Sequence, residues 1–207
     1  MNYDPSRFQR WVNITDTCAV WNVLSSNTLY RAAASANCVF AITACVMYEC
    51  LHKARKEVRD EDEELKARLR KEMKSKTFQQ HPVPLEALQD PRVVGLRKNL
   101  GKGEISVIAF ALETGQAIMT DDQGARKQAE RQIGQDRVQT TPMLLCWLFY
   151  TNRLGDADKD VIIAEHESLR PKAPLTQHFE SMRLCARECR RRSPPVASPG
   201  ADAAPTD

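Results

Sequence analysis

The sequence predicts an α/β protein with a mainly parallel central sheet. Short β-branched, apolar runs alternate with longer segments of helical spacing, and acidic residues follow the runs in a recurring position. No internal repeat interrupts the alternation. The chain has 207 residues, 42% of them hydrophobic, which is enough for one core with elaborations.

The first strand is expected at residues 11–14, ending on Thr15-Asp16-Thr17. Helical signals follow as far as Asn37, with Ser25, Ser26 or Asn27 as a cap and Leu29, Tyr30, Ala33 and Ala34 at helical spacing. Residues 38–43 (CVFAIT) read as the second strand. One long helix is expected from about residue 44 to 76, apolar at first and then of mixed charge, with many opposite charges four residues apart. Its charged half is expected to project from the body or to pack through a thin stripe. Pro82, Pro84 and Pro91 mark loop and turn chemistry over residues 79–92. The almost wholly apolar helix expected at 104–113 follows Gly101-Lys102-Gly103 and closes on Gly115 as its C-cap. A third strand at 117–119 ends on Thr120-Asp121-Asp122, a surface helix spans 123–132, and a fourth strand spans 137–140. Pro142 then opens a helix in its first turn.

Composition excludes several classes. The longest mostly apolar stretch, residues 38–51, contains Thr43, Tyr48 and Glu49; it is too short and too polar to span a bilayer, which needs about 20 apolar residues. MNYDPSRFQR carries charge with no apolar core behind it, so a signal peptide is not expected. Seven scattered cysteines without a CxxC, and four dispersed histidines, give no zinc pattern and suit reduced thiols in the cytoplasm. Lys+Arg exceed Asp+Glu by 30 to 27, so the whole-chain charge says little, but arginines thicken over residues 183–192. Arg183, Arg187, Arg190, Arg191 and Arg192 read either as a solvated helix end or as an electrostatic contact to RNA or an acidic partner.

Ligands of an open parallel sheet bind beyond the C-terminal strand ends, and there the acids gather. Asp16 follows the first strand, Glu49 lies on the helix leaving the second, Glu104 opens the apolar helix, and Asp121 and Asp122 follow the third strand. Singly, Asp16, Glu104, Asp121 and Asp122 each have an ordinary reading as a turn, cap or helix-dipole residue, whereas Glu49, set among Val46, Met47, Tyr48, Cys50 and Leu51, needs a partner if buried. Together they would repel and raise one another's pKa unless a cation neutralises them. Oxygen ligands alone select a hard ion, Mg²⁺ or Mn²⁺. An Asp-nucleophile phosphatase is excluded because Thr17 and Cys18, not a second Asp, follow Asp16. A P-loop is excluded because Gly101-Lys102-Gly103 lacks the glycine spacing and the Ser/Thr after Lys.

The segments VNITDTCAV, AITACVMYECL, LGKGEISVIAFALETG and AIMTDDQGARKQAE, taken in order, resemble the signatures of the PIN-domain ribonuclease family. The resemblance covers about residues 11–150 and implies a three-layer α/β/α fold. Asp16, Glu49 and Glu104 match the family's first three acids; Asp121 and Asp122 both match the fourth. It further implies a Mg²⁺- or Mn²⁺-dependent endoribonuclease that cleaves single-stranded or structured RNA. Thr17, Thr120 and Ser106 would hydrogen-bond around the acids, and Arg126 and Lys127 are candidates for phosphate contacts. VapC-like members are toxins held by an antitoxin, so an antitoxin or other regulatory protein is an implied partner, and a homodimer an expected assembly. The alternative is a catalytically inactive PIN-like module that binds RNA or protein. Within the domain expected at residues 11–150, the charged-helix and Pro-rich insertion at 52–92 is longer than in compact family members; beyond it lie a helical C-terminal extension at 151–192 and a Pro/Ala/Ser-rich tail at 193–207 expected to be disordered.

Overall fold

The computed structural model describes residues 3–54, 59–171, 175–193 and 195. Strands β1 (Asn13–Thr15), β2 (Phe40–Thr43), β3 (Phe78–His81), β4 (Ala117–Met119) and β5 (Val138–Gln139) form one all-parallel sheet in the order β3-β2-β1-β4-β5. β1 is central, and every residue of β1, β2, β4 and β5 is buried, which is why β2 (FAIT) and β4 (AIM) read as nearly continuous apolar runs rather than alternating ones. The polar residues of β1 are satisfied in place. Asn13 Nδ2 donates to the Gln9 carbonyl at 2.9 Å, and Thr15 Oγ1 to the Ala41 carbonyl at 2.8 Å.

Helices cover both faces. On one, α7 (Lys102–Thr114) packs on β1, β2 and β4 between α3 (Ala44–Leu51) and α8 (Gln123–Ile133). On the other, α1 (Thr17–Ser25), α2 (Asn27–Ser35) and α9 (Thr141–Tyr150) pack together, joined by α4 (Asp60–Lys74) and α10 (Asp158–Leu169). This is the three-layer α/β/α arrangement. α7 is buried over most of its length because it roofs the sheet centre, and Gly115, at φ +72°, turns the chain out of it in the left-handed conformation. Ser26 both ends α1 and caps α2, accepting from Leu29 N at 3.0 Å, so the helical stretch after β1 is two helices rather than one.

The long helix expected over residues 44–76 is also divided: α3 ends at Leu51, and α4 begins at Asp60. Residues 55–58, in the middle of the expected helix, lie outside the described ones. Charge pairs support any exposed helix but do not say where the chain turns, and here it turns to carry α4 back toward the sheet edge. α4 packs through a thin stripe, as its composition suggests: Leu65 and Leu69 are buried, and Arg68 Nη1 donates to the carbonyls of Leu24 and Ser25 at 2.9 and 3.1 Å.

A second correction concerns the Pro-rich segment, which contains a strand. β3 pairs with β2 in register Phe40↔Phe78 through Thr43↔His81. Its FQQH sequence has one apolar anchor, Phe78, which stacks on Phe40 at 5.5 Å, while Gln79 and Gln80 are exposed on the sheet edge. Polar residues on an edge strand discourage pairing with another chain, and they also erase the apolar pattern that marks a strand in sequence. Two short helices, α5 (Leu85–Gln89) and α6 (Pro91–Val94), follow where loop was expected; Asp90 caps the second through Arg92 N at 2.8 Å, with Pro91 at its first position.

The C-terminal helices dock on this body. His166 of α10 is buried, with its Nδ1 2.7 Å from Ser25 Oγ, and Glu165 accepts from Ser26 Oγ at 2.6 Å and Thr28 N at 3.0 Å. α11 (Leu175–Arg192) lies on α9, with Phe179 set edge-on to Phe149 at 5.3 Å. Several of the clustered arginines have intramolecular partners. Arg183 and Arg187 pair with Asp156, Arg192 pairs with Glu188, and Arg190 donates to Asn152. The expected disorder of the tail concerns residues that, apart from Ser193 and Pro195, lie outside the described ones. Among the described residues no helix is long and apolar enough to cross a membrane.

Candidate active site at the sheet switch point

The chain builds the sheet outward from β1 through β2 to β3, then returns to the other side of β1 to form β4 and β5. The crossovers leaving β1 and β4 therefore diverge, and between the C-terminal ends of those two strands a crevice must open. Asp16 and Asp121 stand at its two sides.

Asp16 caps α1 through Ala19 N at 2.8 Å, and its other oxygen accepts from Thr120 Oγ1, at the end of β4, at 2.5 Å. The residue is only 2% exposed. Burial pushes its pKa up to about 7; the bonds from Thr120 and Ala19 oppose the rise, and the charges of Asp121 and Glu104 add to it. Asp121 is held at three points, by Thr141 N at 2.8 Å, Thr141 Oγ1 at 2.6 Å and Asn22 Nδ2 at 2.8 Å. It thereby ties the end of β4 to the start of α9 and to α1. Asp122 is exposed and caps α8 through Ala125 N at 2.7 Å.

Two further acids arrive from the α3–α7 side. Glu49 accepts from Thr17 Oγ1 at 2.8 Å and from Gly103 N, in the first turn of α7, at 3.2 Å. Glu104 reaches back to Gly101 N at 2.7 Å, closing the start of the same helix. Its pKa is raised first by burial, against the Gly101 bond, and then by the charges of Asp122 and Glu49. Asp16 thus feels the charges of Asp121 and Glu104, and Glu104 those of Asp122 and Glu49, although each acid is anchored by its own donors. Among the described residues no three acidic, histidine or cysteine side chains converge tightly enough to chelate an ion.

The donor set nevertheless suits a hard cation. All of it is oxygen, and Asn22 Oδ1, buried beside Asp121, finds no protein partner among the described residues. The fit is one of donor chemistry and charge, not of a preformed coordination shell.

Three contributors carry no signal in the sequence. Asn22 stands about one and a half turns beyond Asp16 and meets Asp121 only through the packing of α1 against the sheet and α9. Thr141 starts a helix far along the chain. Gly103 looks like a flexible link, yet a Cβ there would lie 2.4 Å from Glu49 Oε2. Ser106 supports this contact from behind, donating to the Gly103 carbonyl at 2.7 Å and lying 2.6 Å from Thr43 Oγ1. Arg126 lies 4.0 Å from Glu130, one turn along its own helix.

The fold is a three-layer α/β/α one with acids gathered at its switch point. The family model described as DUF3368: PIN domain matches residues 14–140, more than half of the chain, and the chain belongs to the PIN-domain family. Comparison with curated proteins and with solved structures returned no match.

Proposed function

We propose that this protein is a Mg²⁺- or Mn²⁺-dependent endoribonuclease whose ion is held by Asp16, Glu49, Glu104 and one or both of Asp121 and Asp122. The observation that carries the reading is Asp16: a carboxylate buried at the switch point of the sheet, facing two further acids, with its pKa raised to about 7. Such a group is costly for a fold to retain unless a cation offsets the charge. When bound, the ion would supply an activated water and charge neutralisation at the scissile phosphate. The chain's own part is positional. Thr120 and Ala19 fix the Asp16 carboxylate, Thr17 and Gly103 fix Glu49, and Thr141 and Asn22 fix Asp121.

The satisfied carboxylates favour one other reading, a PIN-like module that binds RNA or protein without cutting it. An RNA cleavage assay separates the two. Purified protein is expected to cut RNA with Mn²⁺ or Mg²⁺ and to stop in EDTA, and either ion should raise the melting temperature by binding the native state. Binding of RNA with no metal-dependent cleavage would leave the module reading in place. The proposal extends to a toxin restrained by an antitoxin protein in the cytoplasm, as in VapC-like members. Expression of the wild-type chain alone should then arrest growth while Glu49→Gln does not, and normal growth with active nuclease in the cells would remove the toxin role.

A further inference from the structure

Glu49 and Gly103 bring α3 to the lip of the crevice, and the exposed side of α3 has an unusual composition. Ala44, Tyr48 and His52 succeed one another at four-residue intervals along it, and all three are exposed. Tyr48 is 58% exposed, and its ring lies 6.3 Å from that of His52 at an interplanar angle of 30°. Glu49 is the next residue, turned about 100° around the helix toward Thr17 and Gly103. An aromatic face is thus laid beside an acid of the crevice. Trp11, another strongly exposed aromatic ring, precedes β1 and so lies at the opposite end of the sheet.

Charge points the same way. Lys53 follows His52 just beyond α3, Lys102 precedes Gly103 in the first turn of α7, and both are exposed, so each element that meets at the Glu49–Gly103 contact carries a lysine. Neither lysine is ion-paired among the described residues. A nucleic acid crossing the lip would place phosphates near the lysines and a base near the rings. The bases of a duplex are stacked and hidden, whereas those of a single strand are free to stack on an aromatic face.

We propose that Tyr48 and His52 form a nucleobase-stacking platform that seats one unpaired base of a single-stranded RNA beside the acid crevice, with Lys53 and Lys102 contacting the flanking phosphates. This inference rests on the ribonuclease reading above, and it names the residues outside the acid crevice that would engage an unpaired base of the substrate.

The test is fluorescence anisotropy with a short labelled single-stranded RNA, using the full chain carrying Asp16→Asn so that the RNA is not consumed. Tyr48→Ala in that background should weaken binding about 5- to 100-fold, the range expected for removal of one base–aromatic stack. Tyr48→Phe should bind as the parent does, because the ring and not the hydroxyl carries the interaction. The thermal transition should be unchanged in both, since the side chain is exposed. Lys53→Ala with Lys102→Ala should flatten the logarithmic salt dependence by about 0.7 for each phosphate no longer neutralised. Binding unaffected by Tyr48→Ala, or weakened equally in Tyr48→Phe, overturns the platform while leaving the ribonuclease reading intact. A parent that binds no RNA at all overturns both.

Discussion

Asp16→Asn is expected to lower RNA cleavage by about 10²–10³-fold, the range seen when one electrostatic group aimed at a reacting centre is removed. The substitution keeps volume and one acceptor oxygen, so the cap on α1 should survive nearly intact. What it removes is the charge at the centre of the cluster, and Mn²⁺ affinity should fall with activity.

The same substitution should stabilise the metal-free protein, and this second readout does not depend on any substrate. The Asp16 pKa is about 7 in the folded chain, against about 3.9 for an unfolded aspartate. Between those values the folded state holds a proton that the unfolded state releases, so stability falls as pH rises from about 4 to about 7. Below that window both states are protonated; above it both are ionised, and the full cost, on the order of 2–4 kcal/mol, is in place. Asparagine does not titrate. In EDTA, Asp16→Asn should therefore be more stable than wild type at pH 8 and close to it at about pH 4.5, as read by urea denaturation. Wild-type cleavage rates in the variant would show that the acid crevice is not the active site. A stability difference that does not change with pH would show that Asp16 is not ionised against a burial cost.

Gly103→Ala should separate folding from function. Replacing glycine within a helix ordinarily stabilises it by up to about 1 kcal/mol. Here the new Cβ would fall 2.4 Å from Glu49 Oε2 and 2.9 Å from its Cδ. Glu49 is half-buried at the end of a flexible side chain, so it can swing away at little cost to the fold. In doing so it abandons both Thr17 and the Gly103 amide. The melting temperature should stay within a few degrees of wild type, while cleavage falls about 100-fold and Mn²⁺ binding weakens, matching Glu49→Gln. Full activity in Gly103→Ala would mean that Glu49 has no role at the site.

The strands β2 and β4, and the helix that roofs them, were legible in the sequence because their burial on all sides leaves nearly continuous apolar runs; the short strands β1 and β5 were legible from the Ile14 and Val138 segments that alternate with the helices. The placement of Asp16, Asp121 and Asp122 was legible because a residue that follows a strand must lie at its C-terminal end. β3 was not legible: an edge strand held by Phe78 alone carries too little apolar pattern, and only its pairing with β2 defines it. The break between α3 and α4 was hidden for a related reason, since charge pairs favour helix without marking its end. For the proposed site, the sequence nominated Asp16, Glu49, Glu104, Asp121 and Asp122, with Thr17 and Thr120 as partners, but not the further donors that hold them. Asn22, Gly103 and Thr141 reach the acids across distances of 54 residues (Glu49 to Gly103), 99 (Asn22 to Asp121) and 20 (Asp121 to Thr141) along the chain. Contacts of that kind leave no local periodicity. They exist because the sheet reverses its direction of growth between β1 and β4, and only the tertiary structure brings the starts of α1, α7 and α9 together around that opening.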